Sequence, residues 1–193
     1  MTDLSELRSV RVYFDGGFHY ARKGRQAWAE FGFAIYRTDA TDYTQYLNAA
    51  SVPSEPGAAI GAWDQDLLSL SDRLRVHLSA HRSARGAQVY DLVAAQGGLL
   101  HLKVNDFHGT AFMRTDGEAV IRYMNGDDTA WNLDINGENV AAVLRDRITN
   151  LSDKVGVVVW ERVPNRENWA DPVYKGLRRE RIEIWKKHPP GAV

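Results

Sequence analysis

Residues 10–17 read Val-Arg-Val-Tyr-Phe-Asp-Gly-Gly. Val10, Val12 and Phe14 alternate with Arg11 and Tyr13, the two-residue period of a strand with one buried face. The strand is expected to end on Asp15. Gly16 and Gly17 then allow a turn that residues with a Cβ resist, and they let backbone approach whatever Asp15 faces. A carboxylate at a strand end beside bare backbone suits a metal or phosphate site. Asp-Gly also makes an ordinary hairpin turn. The octapeptide leaves both open, and the rest of the chain has to choose.

Just downstream, Tyr20, Arg22, Lys23 and Arg25 crowd three cations and an aromatic into six residues. This is either a solvated hairpin tip or a phosphate-tracking loop beside Asp15. Trp28, Glu30, Gly32, Ala34 and Tyr36 alternate with Ala29, Phe31, Phe33 and Ile35, which predicts a second strand, antiparallel to the first. Residues 41–50 are β-prone and predict a third.

Residues 51–59 read as a loop. Trp63, Leu67, Leu70, Leu74 and Leu78 recur at helical spacing and predict a helix over 60–81. A second helix is expected over 88–102, with Gly97 and Gly98 marking close packing against a neighbour. A short strand over 110–115 leads to Asp116. A helix over 118–124 stops at Asn125-Gly126, and an amphipathic helix covers 138–150. The apolar run 155–160 predicts a strand buried on both faces. A loop over 162–168 precedes a last helix, with Pro172 in its first turn and Asp171 at its start. Three strands, helices, strand, helices, strand and helix make an α/β fold, a mixed sheet flanked by helices.

At 193 residues and net charge −1 the chain fits one domain, and affinity for nucleic acid has to come from local patches. The absence of cysteine excludes disulfides, thiolate zinc sites and cysteine nucleophiles, and it fits a reducing compartment. No apolar stretch approaches the ~18 residues of a membrane span. The polar N-terminus does not resemble a signal peptide. A soluble, cytoplasmic protein with no membrane partner is expected.

Carboxylates at the ends of neighbouring strands can converge. When they do, they repel and raise one another's pKa unless a cation intervenes. Magnesium and manganese are hard ions that take oxygen ligands. A pair of them ~4 Å apart can clamp both oxygens of an in-line phosphodiester displacement.

Four stretches resemble ribonuclease H, in the compact group related to bacterial type 1 enzymes and reverse-transcriptase-like domains. The first is Tyr13-Phe14-Asp15-Gly16-Gly17, with Phe31-Gly32-Phe33 in the following strand. The second is Asp91-Leu92-x-Ala94-x-x-x-Gly98-Leu99, opened in the family by glutamate. The third runs from Thr115-Asp116-Gly117-Glu118 to Asn125-Gly126, where the family usually has Asp-Ser. The fourth runs from Val163-Pro164-Asn165 through Asn168-Trp169-Ala170-Asp171.

The resemblance implies a five-stranded mixed sheet in a single domain over 1–193, with 51–86 as a helical insertion after the third strand. It implies Asp15, Asp91, Asp116 and Asp171 as catalytic carboxylates holding two Mg2+ or Mn2+ ions. Asp66, on the inserted helix, is the rival to Asp91 but lacks the Ala and Gly at the right offsets. The resemblance further implies hydrolysis of the RNA strand of an RNA–DNA hybrid by a monomer. Gly16, Gly17, Arg22, Lys23, Arg25, Asn125 and Arg166 are the expected substrate contacts. The histidine that type 1 members often carry in the loop before the last helix is missing, and Arg166 or Glu167 stands there. Three other outcomes stay open: a DNA nuclease such as a junction resolvase, a non-catalytic nucleic-acid-binding module, and a protein-interaction domain built around Trp63.

Overall fold

A computed structural model describes residues 3–23, 26–52, 63–83, 85–127 and 131–187. Arg25 and most of the expected 51–59 loop lie outside the described residues, as do residues 128–130 and His188-Pro189-Pro190, a tripeptide that suits the end of the last helix.

Strand β1 (Ser9–His19) is the centre of the sheet. It pairs antiparallel with β2 (Trp28–Arg37), and β2 pairs antiparallel with β3 (Asn48–Val52). On its other side β1 pairs parallel with β4 (Gly109–Thr115), and a short two-stranded hairpin, β5 (Asp134–Ile135) and β6 (Glu138–Asn139), stands apart. Strand β7 (Gly156–Arg162) adds parallel to β4 and closes the order β3-β2-β1-β4-β7. The expected mixed sheet with flanking helices is therefore present.

The alternation of β1 divides the protein into two cores. Val10, Val12 and Phe14 are fully buried on the face covered by α2 (Gly86–Val104) and α4 (Val140–Val155). On this side α1 (Gln65–Ala80) packs on α2 through Leu67, Leu70, Leu74 and Leu78. Tyr13, Ala34 and Tyr36 face the other way and meet Ala170, Val173 and Tyr174 of α5 (Ala170–Lys187). Trp169 stacks on Tyr13 with ring centroids 5.0 Å apart, fixing the entry to α5. Helix α3 (Glu118–Met124) follows β4 directly, as expected.

Several sequence expectations are corrected. Gly16 and Gly17 do not turn: β1 runs through them to His19, in register with Trp28. The third strand begins at Asn48 because residues 41–45 form local bonds instead, Thr44 N donating to Asp42 Oδ1 at 2.6 Å and Thr41 N to Gln45 Oε1 at 2.7 Å. Strand β7 is an edge strand, not one buried on both faces, and Val157 is 60% exposed. Its apolar run is used on one side only, where Val158 and Trp160 pack against the core.

Trp63 is not an exposed docking residue. It is buried edge-on against Phe31 and Phe33, and it fills the space over Gly97, where a Cβ would lie 1.7 Å from its ring. No described helix is long and apolar enough to cross a membrane.

Candidate active site

The parallel pairing of β1 with β4 sends both chains toward the same end of the sheet. Asp15 stands on β1 beyond the last paired position, and Asp116 follows the last residue of β4. Helix α5 begins at the same end, with Asp171 in its first turn. Asp91, in the second turn of α2, approaches from the opposite face of the sheet.

Close approach of α2 depends on Gly16. A Cβ there would lie 2.4 Å from both the carbonyl carbon and the oxygen of Tyr90. With only hydrogen present, the Gly16 N–H donates to Asp91 Oδ1 at 2.8 Å. Asp91 is thereby buried at 6% exposure, whereas Asp66 lies exposed on α1. Gly32 plays the equivalent part on the other face. It pairs with Asp15 across the β1–β2 ladder, and a Cβ there would lie 2.6 Å from the Cβ of Tyr174.

The carboxylates act on one another. Burial, then the charges of Asp116 and Asp171, push Asp15 up to about 7, against the pull of the Tyr174 hydroxyl and of Lys175. Burial drives Asp91 well above the usual carboxylate range. The charges of Asp15 and Asp116 add to this, while the Gly16 N–H opposes it. Tyr174 is raised in turn by its own burial and by Asp15, Glu30 and Asp171.

Each acid also has a donor from the chain. The Tyr174 hydroxyl donates to Asp15, and Gly16 N–H to Asp91. Asn168 Nδ2 donates to Asp116 Oδ1 at 2.7 Å and to the Phe14 carbonyl at 3.2 Å. Lys175 Nζ forms an ion pair with Asp171. Nothing in the sequence alone marks Asn168, Tyr174 and Lys175 as partners of these acids. Asn168 is buried and joins the ends of β1 and β4 to the start of α5, where its Oδ1 accepts from Ala170 N at 3.3 Å.

Arg22, Lys23, Asn125 and Arg166 are exposed, and Arg25 lies outside the described residues. The Gly16 N–H is taken by Asp91, so it is not free for substrate. The His19 ring leans back over Gly17, its Nε2 3.8 Å from where a Gly17 Cβ would stand. It stacks on Trp28 at 3.8 Å and meets buried Glu30 at 3.0 Å. His108 is exposed.

Among the described residues, no group of three or more acidic or imidazole side chains is arranged to hold a metal ion. The donor set nevertheless has the right chemistry for magnesium or manganese. All its ligating atoms are hard carboxylate oxygens, and burial and mutual repulsion, which a cation would relieve, raise two of the acids above the ordinary carboxylate range.

No protein-family model and no curated protein matches the chain by sequence. Solved structures do match. The N-terminal RNase H domain of a Mycobacterium tuberculosis protein, solved as a fusion with maltose-binding protein, is 16% identical, with 92% of this chain and 99% of that chain covered at a TM-score of 0.55. LC11-RNase H1, in complex with RNA/DNA hybrid, is 17% identical, with 90% and 99% covered at 0.56. RNase H1 from the halophilic archaeon Halobacterium salinarum is 16% identical, with 91% and 98% covered at 0.52. The chain has the fold of ribonuclease H.

Proposed function

We propose that this chain, on a ribonuclease H fold, is a metal-dependent nuclease that hydrolyses the RNA strand of RNA–DNA hybrids. The observation that carries the reading is the electrostatic meeting of Asp15, Asp91, Asp116 and Asp171. They come from four separate elements and sit at one end of the sheet. The solved complex of LC11-RNase H1 with a hybrid supports the substrate class. Fold by itself does not fix function, so the weight rests on the carboxylates.

Two divalent ions held by these four side chains would neutralise the crowded acids and supply Lewis acidity to the phosphodiester and its attacking water. The chain's own residues do the rest. The Gly16 backbone N–H and the Asn168 side-chain amide hold Asp91 and Asp116 in place. Gly17 leaves the surface beside Asp15 without a side chain. Arg22 and Lys23 at the end of the β1–β2 hairpin, with Arg25, would contact phosphates and make binding salt-dependent. Asn125 and Arg166 are further contacts on the exposed rim. Discrimination of RNA from DNA would rest on 2′-hydroxyls in the wide minor groove. Helix α1, within the 51–86 stretch we propose as an insertion, braces α2, since the Tyr90 hydroxyl donates to the Ser71 carbonyl at 3.0 Å.

The test is incubation of end-labelled hybrid, duplex DNA and four-way DNA junction with wild type and Asp116→Asn, in magnesium or manganese. Cleavage of the hybrid's RNA strand alone, leaving 5′-phosphates and lost in Asp116→Asn, is expected. Equal cleavage by both proteins would remove Asp116 from the chemistry. Cleavage of junctions alone would reassign the substrate. Binding without cleavage would make the chain a recognition module.

A further inference from the structure

Three of the four acids are answered by neutral donors. Asp171 is answered by a cation. Lys175 lies one turn further along α5, and its Nζ pairs with Asp171 Oδ1. The same ammonium acts on Asp15, opposing the rise in that carboxyl's pKa. It sits over the ring of Tyr174, 6.0 Å from the centroid, and the Tyr174 hydroxyl donates to Asp15. One turn of α5 therefore supplies an acid, a hydroxyl and an ammonium to the place where the carboxylates meet.

We propose that Lys175 is a tethered counter-cation, which occupies Asp171 in the metal-free protein and has to leave it before a divalent ion is held there. The inference rests on the metal-binding reading above. An ammonium on a flexible four-carbon stem is a compact single charge that can swing away. A divalent ion brings twice the charge and takes several carboxylate oxygens at once. The Lys175–Asp171 pair is 39% and 38% exposed at its two side chains, so it is the kind of ion pair that competes weakly and yields. The metal-ion concentration the site needs is therefore set partly by this lysine.

The experiment is calorimetric titration of Mn2+, then Mg2+, into wild type, Lys175→Met and Lys175→Arg, without nucleic acid. Lys175→Met is expected to tighten the Mn2+ Kd roughly three- to tenfold, and Lys175→Arg to stay within about twofold of wild type. Unmutated protein gives a second readout. The 15N resonance of the Lys175 ammonium should shift as Mg2+ is added, reporting its release from Asp171. Equal Mn2+ Kd values for wild type and Lys175→Met, or an ammonium resonance unmoved at saturating Mg2+, would overturn the inference and leave the nuclease reading standing. No metal binding by any of the three proteins would overturn both. If Lys175→Met binds hybrid more weakly in EDTA with an unchanged Mn2+ Kd, Lys175 is a phosphate contact and the inference fails.

Discussion

Asp15→Asn should make the metal-free protein more stable at alkaline pH and leave it nearly unchanged at pH 4 and below. In the folded chain the Asp15 carboxyl is pushed up to about 7 from an ordinary 3.8, by burial first and then by Asp116 and Asp171. A group raised in this way holds its proton more tightly folded than unfolded. Its contribution to stability is fully present below about pH 4 and is lost as the pH rises through 7. The gap is about 3 pKa units, and at ~1.4 kcal/mol each it sets a ceiling of ~4 kcal/mol. Solvent at the half-buried carboxyl and relaxation of its neighbours reduce this to about 2 kcal/mol. Asparagine keeps the shape and the acceptor for Tyr174 while removing the charge. Urea denaturation in EDTA should therefore show Asp15→Asn stabilised by about 2 kcal/mol at pH 8.5, or roughly 4–8 °C in Tm, and by less than about 0.5 kcal/mol at pH 4. A variant that is destabilised at pH 8.5, or equally affected at both pH values, would refute the crowding of carboxylates on which the estimate rests.

Three further substitutions probe the frame of the site. Asn168→Ala strips donors from Asp116 and the Phe14 carbonyl and should cost about 2–3 kcal/mol by thermal denaturation; a loss under ~0.5 kcal/mol would remove Asn168 from the frame. Gly16→Ala places a Cβ 2.4 Å from the Tyr90 carbonyl and should cost about 3 kcal/mol in urea, with the Gly16–Asp91 bond broken; wild-type stability would mean that α2 is not seated on β1 as described. Trp63→Ala empties the space between Phe31, Phe33 and Gly97 and should cost about 3–5 kcal/mol, an outcome an exposed docking tryptophan would not give.

Much of this architecture was legible in the residues. Alternation in β1 and β2 gave strand, face and partner, because a one-residue slip would have turned Val10, Val12 and Phe14 to the wrong core. The acids at the end of β4 and the start of α5 could be placed once those elements were placed. The failures have physical causes. Glycine serves both turns and close approach, and the letters Gly16-Gly17 do not say which; only the arrival of Tyr90 decides for approach. A continuous apolar run does not reveal whether a further strand lies outside it, so the letters of β7 read the same for an interior strand as for the edge strand it is. Residues 41–45 have strand-like letters but bond to one another. Trp63 falls on the helical stripe of α1 but lies just before the helix, turned inward. The donors that hold the acids were out of reach, since Asn168 meets Asp116 and Phe14 only after the whole sheet has formed.

The most direct measurement is paramagnetic broadening of backbone amide resonances by substoichiometric Mn2+. A single cation site at the end of the sheet predicts broadening centred on residues 15–17, 91, 116–117 and 168–171, and its loss in Asp116→Asn. Broadening spread over exposed acids such as Asp39, Asp66 and Asp72, and equal in both proteins, would contradict it.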